Sequence, residues 1–248
     1  ISATSLATSS VVAGADRDGV PGILAALRLG GPPVLVHPRA TEAERGAWAA
    51  RFGLEVVDAG ALADGGPHGS APTAAPKPTV EPERIAVVLG TSGSTGRPKG
   101  VRLSFRALEA AAAASAANLG WERGDRWLLS IPAAHVGGLS IVTRCLLGGG
   151  TVALPDALRA GFRPAAFSAD VEATGATLVS LVPTMLRRLL DDASFAWPPR
   201  VRAALIGGAH APPALLADAW DRGWPVLATY GLTEAAAQVA TPRRGEPP

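Results

Sequence analysis

Short apolar runs alternate along this chain with segments in which apolar residues have the spacing of a helix. The runs are bounded by Gly, Pro or charged residues, which is the pattern of buried strands. They occupy residues 33–36, 54–57, 85–90, 125–132, 151–154, 177–181, 201–206 and 226–228. The segments with helical spacing occupy residues 22–30, 40–52, 104–119, 139–147, 167–174, 183–191 and 213–220. This alternation predicts an α/β fold with doubly wound, mainly parallel sheets flanked by helices.

Residues 62–84 break the pattern. This segment is rich in Gly, Pro and Ala and has few large apolar side chains, so it cannot supply a packed core. It predicts a flexible linker or loop. The rest of the chain predicts a single large domain over residues 1–248, with that loop inside it.

Composition excludes several classes of function. Of the 248 residues, 48% are hydrophobic, which is enough for a sizeable core. A net charge of +2 without a cluster of Lys and Arg argues against a nucleic-acid partner. No apolar run is long enough to span a membrane, and no signal-peptide pattern is present. One cysteine excludes an intramolecular disulfide and suits a reducing compartment. We therefore expect a cytoplasmic protein, whose oligomeric state the sequence leaves open.

The first candidate site is the run Thr91 to Gly100, which reads Thr-Ser-Gly-Ser-Thr-Gly-Arg-Pro-Lys-Gly and directly follows an apolar run. A helix capped by Ser104 is predicted soon after it. Strand, loop and helix in this order surround a polyphosphate with backbone N–H groups, hydroxyls and a lysine. The run is not a Walker A loop, because Lys99 precedes Gly100 and no hydroxyl residue follows. The glycine spacing also excludes the dinucleotide-binding fingerprint and the hydrolase nucleophile elbow.

The run closely resembles the phosphate loop of the adenylate-forming superfamily, which includes acyl- and aryl-CoA synthetases, luciferases and peptide-synthetase adenylation domains. The resemblance implies that this loop binds ATP. The residues implied to do so are Thr91, Ser92, Gly93, Ser94, Thr95, Gly96 and Lys99.

A second run, Thr229-Tyr230-Gly231-Leu232-Thr233-Glu234, resembles another part of the nucleotide site in the same superfamily. The resemblance implies that Tyr230 stacks on adenine beside Gly231, that Thr233 contacts the α-phosphate and that Glu234 binds Mg²⁺. Residue chemistry agrees, because an aromatic face suits a purine and a carboxylate is a hard oxygen ligand for Mg²⁺.

Two further stretches fit the same resemblance. Gly207 and Gly208 match the wall between adenine and the acyl group, where a missing side chain lets a ligand approach the backbone. His135 matches a gate beside the acyl pocket. Taken alone, a Gly-Gly pair after a strand is usually an ordinary turn, and a single histidine is usually structural.

The resemblance implies a two-step ligase reaction. A carboxylate attacks the α-phosphorus of ATP to give an acyl-adenylate and pyrophosphate, and the thiol of coenzyme A then displaces AMP. The implied catalytic residues are His135, Thr233 and Glu234. Because two anions must meet, catalysis rests on charge neutralisation and positioning.

The acid is indicated by a narrower resemblance. The run from His135 to Ser140, followed by Arg144, is similar to o-succinylbenzoate–CoA ligases of menaquinone biosynthesis, and so is the run 230–241. o-Succinylbenzoate has a second carboxylate that is not activated. We expect Arg144 to hold it, with Ser140 and Gly208 also lining the acyl pocket. The alternative is that Arg144 lies along its helix with the charged end in water.

The superfamily pattern is incomplete in this chain. No Thr-Gly-Asp turn follows residue 241, and the C-terminal domain that carries the adenylation lysine has no counterpart. We therefore expect weak nucleotide binding and slow turnover or none. Two alternatives stay open: a CoA ligase for another aryl or fatty acid, and a non-catalytic nucleotide-binding remnant.

Overall fold

The computed structural model describes residues 10–13, 34–35, 41–44, 46, 55–58, 81–91 and 99–248. The chain divides into two compact units, Ile1–Leu108 with Pro132–Val136, and Glu109–Ile131 with Gly137–Pro248. The single domain over 1–248 stays a prediction. Of the predicted loop at 62–84, only residues 81–84 are described, and the predicted helix at 22–30 lies outside the described residues.

The described strands of the first unit form one sheet in the order β3-β1-β2-β4-β5. Their bounds are Ser10–Ala13 (β1), Val34–Leu35 (β2), Glu55–Asp58 (β3), Ile85–Thr91 (β4) and Lys99–Ser104 (β5). Strand β1 pairs in parallel with β2 and β3, and β2 pairs in parallel with β4. Ala86 to Leu89 are buried, as the continuous apolar run in β4 predicts.

Strand β5 corrects the predicted order of strand, loop and helix. It pairs antiparallel with β4, so a second strand of the same sheet comes between β4 and the helix. Helix α1 (Phe105–Leu119) begins only after β5. As predicted, the hydroxyl of Ser104 caps it, accepting from the backbone N–H of Ala107 at 3.3 Å. Gly120, with a φ of 64°, follows its last residue.

The second unit contains a five-stranded parallel sheet in the order β10-β9-β8-β6-β7. Its strands are Arg126–Leu128 (β6), Thr151–Ala153 (β7), Leu178–Leu181 (β8), Ala203–Ile206 (β9) and Val226–Ala228 (β10). The connecting helices are Val136–Gly148 (α2), Pro164–Thr174 (α3), Pro183–Asp191 (α4) and Pro213–Asp221 (α5). The predicted α/β class with mainly parallel sheets is confirmed.

The core of the second unit forms where three helices pack on the central strands. Every residue of β8 and β9 is buried. Phe167 of α3, Leu186 of α4 and Leu215 of α5 belong to the same apolar cluster. Helices α3, α4 and α5 each begin at a proline, which fits there because the first helical N–H has no partner within the helix. Within the described residues, no helix is long and apolar enough to cross a membrane.

The second unit ends in an antiparallel hairpin of Tyr230–Leu232 (β11) and Ala237–Ala240 (β12). Two hydrogen bonds attach it to α1: Ser115 donates to Gln238 at 3.0 Å, and Asn118 donates to the carbonyl of Thr241 at 3.2 Å. Residues 229–234, which lie outside the predicted strands, therefore include a paired strand. Its partner β12 was not predicted.

Candidate functional site

Tyr230 lies at the junction between the parallel sheet and the hairpin. It is the first residue of β11, two positions after the end of β10. Its side chain is 65% exposed. A large aromatic side chain in this position is available to stack on a planar ligand.

Gly231 is required by the packing of the hairpin. A Cβ atom at this position would lie 2.0 Å from the carbonyl oxygen of Ala237 on the opposite strand. The absence of a side chain therefore lets the two strands approach next to Tyr230. The structure explains this glycine without a ligand, and its nucleotide-binding role stays a prediction.

Thr233 and Glu234 lie in a 3₁₀ turn, Thr233–Ala235, between the strands of the hairpin. Glu234 is exposed. The two residues that follow this turn, Ala236 and Ala237, have φ angles of 56° and 107°. Such angles are uncommon outside glycine and cost on the order of 1–3 kcal/mol each. The exposed carboxylate of Glu234 therefore lies next to a strained turn of the hairpin.

Gly207 and Gly208 follow β9, beside the end of its neighbour β10. A Cβ atom on Gly207 would lie 2.6 Å from Cγ2 and 2.7 Å from the carbonyl oxygen of Thr229. Gly208 has a φ of 79°. Gly207 thus allows a close approach of two strand ends, where the backbone N–H of Thr229 donates to the carbonyl of Ile206 at 2.8 Å. The structure brings the predicted glycine wall next to the segment that carries Tyr230.

The phosphate loop is described only at its base. Thr91 ends β4 and Lys99 begins β5, and the two residues are opposite each other in the hairpin register. Ser92, Gly93, Ser94, Thr95 and Gly96 lie outside the described residues. The loop belongs to the first unit and Tyr230 to the second. Its role in binding phosphate stays a prediction.

His135 precedes α2 and is exposed. Its backbone N–H donates to the carbonyl of Pro132 at 3.0 Å, which forms a turn at the helix start. It belongs to the first unit, whereas Ser140 and Arg144 belong to the second. Its predicted role as a gate stays a prediction.

Arg144 is buried on α2, with 5% of its surface exposed. The alternative that it extends its charged end into water is therefore wrong. Among the described residues, its Nε has no hydrogen-bond partner. Its guanidinium carbon lies over the ring of Trp127, 5.1 Å from the centroid. Burial lowers the pKa of Arg144 to about 10, so the side chain remains a cation at neutral pH.

Ser140 lies one helical turn before Arg144. Its hydroxyl donates to the carbonyl oxygen of Gly137 at 2.8 Å. Its proton is therefore engaged within the helix, and its oxygen can still accept a hydrogen bond. Its predicted contact with the acid stays a prediction.

Sequence reasoning did not identify the group on which Arg144 rests. Trp127 is fully buried in the middle of β6, and its indole N–H donates to the hydroxyl of Ser180 at 3.1 Å. In the sequence, both are ordinary members of apolar strands, and their proximity depends on the pairing of β6 with β8. No local pattern indicates it.

The side chains of the described residues offer only part of a metal site. Among these residues, no group of three or more His, Cys, Asp and Glu could hold a metal ion. A single exposed carboxylate such as Glu234 fits Mg²⁺, which is commonly bound by one or two carboxylates together with substrate phosphates.

A groove of about 560 Å³ lies on the second unit, outside the predicted site. It is lined by Ala114, Ala117 and Asn118 of α1 and by Arg243. None of the predicted site residues lines it.

Comparison with known proteins gives consistent similarities. The family of AMP-binding enzymes matches residues 48–248. A 2-succinylbenzoate–CoA ligase from Bacillus pumilus (strain SAFR-032) is 37% identical over 158 residues, which are 64% of this chain and 32% of that protein.

Solved structures of o-succinylbenzoate coenzyme A synthetase (MenE) from Bacillus subtilis are also similar. The complex with ATP and magnesium has a TM-score of 0.79 at 27% identity, covering 95% of this chain and 51% of that one. The complex with the acyl-adenylate OSB-AMP has a TM-score of 0.78 at 27% identity, covering 95% and 50%. The chain thus spans about half the length of these enzymes, and its match to the Bacillus pumilus ligase covers about a third of that protein.

Proposed function

Because this chain belongs to the family of AMP-binding enzymes, we propose that it supplies the nucleotide- and acyl-binding part of an ATP-dependent acid–CoA ligase. The observation that carries the proposal is the hairpin at the end of the parallel sheet. There an exposed Tyr230 and an exposed Glu234 are held on either side of Gly231, next to the Gly207 strand end.

Each exposed group has a distinct task in this proposal. The ring of Tyr230 stacks on adenine, and the hydroxyl of Thr233 donates to the α-phosphate. Glu234 would hold Mg²⁺, which when bound neutralises the phosphate charge that repels an incoming carboxylate. By the sequence resemblance, Thr91 and Lys99 would contact the outer phosphates.

The reaction follows from bringing two anions together. The substrate carboxylate attacks the α-phosphorus, the bond to the β-phosphate oxygen breaks and pyrophosphate leaves. The thiol of coenzyme A then attacks the acyl carbon, and AMP leaves. His135 would border the acyl group during both steps.

We propose o-succinylbenzoate as the acid, as in the ligases named above. The supporting observation is the buried cation of Arg144, whose Nε has no hydrogen-bond partner among the described residues. A buried donor without a hydrogen-bond partner is costly, and a spectator carboxylate would supply a hydrogen bond as well as the opposite charge. Magnesium dependence, menaquinone biosynthesis and a cytoplasmic location belong to the same proposal.

Nucleotide binding tests the first half of the proposal. In titration calorimetry, Tyr230→Ala should weaken ATP binding about tenfold, because base stacking on an aromatic ring contributes about 1–3 kcal/mol. Tyr230→Phe keeps the ring and should bind ATP like the wild type. Glu234→Gln should weaken binding of ATP with Mg²⁺ more than binding of AMP. Equal ATP affinity in wild type and Tyr230→Ala would contradict the proposal.

A panel of acyl-adenylate analogues tests the acid. Sulfamoyl analogues of the o-succinylbenzoyl, benzoyl and medium-chain acyl adenylates should bind with the o-succinylbenzoyl compound tightest. A preference for another acyl group would indicate a different CoA ligase. Nucleotide binding without any acyl preference or pyrophosphate exchange would favour a non-catalytic remnant.

A further inference from the structure

We propose that Trp127 is a positioning residue for substrate recognition, because its indole ring holds the guanidinium of Arg144 while leaving the N–H donors of that group available to a carboxylate. This inference rests on the proposed function, in which Arg144 recognises the second carboxylate of the acid. It adds a residue of β6 that has no part in the nucleotide site.

The first support is the contact itself. The guanidinium carbon of Arg144 lies 5.1 Å from the centroid of the Trp127 ring. Tryptophan is the best aromatic partner for a cation, and the attraction is stronger when both groups are desolvated. Both residues are buried.

The second support is the geometry of the donors. The N–H groups of a guanidinium point outward in its plane, whereas a ring attracts the cation without accepting hydrogen bonds from those groups. An Asp or Glu in the position of Trp127 would occupy the donors. In the described part of the chain, the Nε of Arg144 has no partner. The indole therefore holds the cation without consuming the groups that a substrate carboxylate needs.

The third support is that the indole is itself fixed. Its N–H donates to the hydroxyl of Ser180 at 3.1 Å, so rotation of the ring would break a buried hydrogen bond. Trp127 lies in the register of β6 between Val152 of β7 and Leu178 of β8. The indole ring therefore belongs to a strand that is paired on both sides within the parallel sheet.

A second indole supports the helix that carries Arg144. The ring of Trp121 packs against the ring of Trp127, with 6.2 Å between the two ring centroids. It also packs against the end of α2, where a Cβ atom on Gly148 would lie 3.2 Å from Cε2 of Trp121. Trp121 therefore contacts both the indole under Arg144 and the end of the helix that carries Arg144.

The test compares two ligands that differ in the second carboxylate. The affinity of the chain is measured for sulfamoyl analogues of o-succinylbenzoyl-adenylate and of benzoyl-adenylate, and the ratio reports recognition of that carboxylate. Arg144→Met should bring the ratio close to one. Trp127→Leu should lower the ratio about tenfold, and Trp127→Phe should lower it less because a ring remains. Benzoyl-adenylate affinity should change less than about twofold in both Trp127 variants.

Ser180→Ala removes the hydroxyl that accepts a hydrogen bond from the Trp127 indole, and it is a smaller change than replacing the ring. It should lower the ratio about threefold, as expected for a lost hydrogen bond. In the Arg144→Met background, Trp127→Leu should not change the ratio further, because the group it positions is gone. Trp224→Phe is a matched control, since Trp224 is buried and contacts a different arginine, Arg222, at 5.7 Å. It should leave the ratio unchanged.

Each outcome separates this inference from the proposed function. An unchanged ratio in Arg144→Met would overturn the choice of acid, and this inference with it. A lowered ratio in Arg144→Met with an unchanged ratio in the Trp127 variants would overturn only the inference. Equal losses for both ligands would show a merely structural role for Trp127 and also overturn it. If Trp127→Leu does not fold, Trp127→Phe and Ser180→Ala decide the result.

Discussion

The carboxylate of Asp125 and the guanidinium of Arg202 form a two-point ion pair between residues that are distant in sequence. Nε of Arg202 donates to Oδ1 of Asp125 at 2.9 Å, and Nη2 donates to Oδ2. Arg202 also donates to the carbonyls of Leu119 and Gly120 at the end of α1. Thr177, just before β8, donates its hydroxyl to Asp125 at 2.7 Å. One carboxylate thus joins the starts of β6, β8 and β9 to the end of α1.

Asp125→Asn should destabilise the chain by about 3 kcal/mol at pH 7, because one half of a buried ion pair is lost. Burial raises the pKa of Asp125, but hydrogen bonds from Arg202, the Glu122 N–H and Thr177 outweigh this effect and leave the pKa below 3.8. A lowered carboxyl pKa contributes stability above pH 3.8 that is lost as the pH falls through the folded-state value. Urea unfolding at pH 7 and at pH 3 should therefore show a smaller cost of the substitution at pH 3.

Asp218→Asn is the control for this comparison. Asp218 pairs with Arg222 at 2.9 Å, but both side chains are about 40% exposed. Exposed pairs contribute about 0–1 kcal/mol. If Asp218→Asn lowered the free energy of unfolding as much as Asp125→Asn does, burial would not be the reason that the Asp125 pair contributes more.

Arg144→Met should raise the free energy of unfolding of the ligand-free chain by about 1–3 kcal/mol, since replacing a buried charge with an apolar side chain is often stabilising. The pKa of Arg144, lowered to about 10 by burial, means that the fold disfavours the cation at every pH below that value. The gain in stability from the substitution should shrink as the pH rises from about 10 toward 12.5, the ordinary pKa of arginine, because the folded wild type then loses the charge on Arg144. Chemical denaturation at pH 7.5 and near pH 10.5 measures both effects.

Arg187→Met provides the matched surface substitution. Arg187 lies on α4 and is exposed, so its replacement should change stability by less than about 0.5 kcal/mol. A destabilised Arg144→Met variant would show that the buried cation already has compensating interactions without ligand.

Cys145 should be unreactive in the folded chain. Burial raises the pKa of its thiol to about 12, and the thiol contacts the carbonyl of Thr151 at 3.3 Å. At pH 8 the folded thiol is protonated and shielded, so alkylation should be slower than in urea by at least about a hundredfold. Because it is the only cysteine, mass spectrometry after iodoacetamide treatment reads this site directly. Rapid labelling without urea would mean that α2 opens readily.

Gly231→Ala should destabilise the second unit by about 1–3 kcal/mol and weaken ATP binding, because the added Cβ would overlap the carbonyl of Ala237. Gly137→Ala is the comparison: its Cβ would lie 3.7 Å from Cδ1 of Ile131, an ordinary contact. In helix α2 an alanine should be neutral or stabilising by up to about 1 kcal/mol. Thermal unfolding of both variants tests this, and equal stability of the two would count against the hairpin geometry.

Local patterns predicted most of the second unit because its strands are short apolar runs bounded by glycine, proline or charge. The helix at 183–191 and the strand at 226–228 have the predicted bounds. The Ser104 cap of α1 also agrees, since a capping signal acts within a few residues. Strands β1, β5, β11 and β12 were not predicted. The last three are defined by antiparallel pairing with a partner across a turn, and they carry little apolar patterning of their own.

The sequence by itself determined the α/β class, the alternation of strands and helices in the parallel sheet of the second unit, and the family resemblance, because these depend on residue types at neighbouring positions. Only the tertiary structure decided which polar groups are buried and which side chains they contact. It placed Arg144 over Trp127, joined Asp125 to Arg202 and explained Gly207 and Gly231 by strand contacts. The physical reason is that burial and partnership are properties of pairs brought together by sheet register, and residues far apart in sequence carry no local sign of meeting.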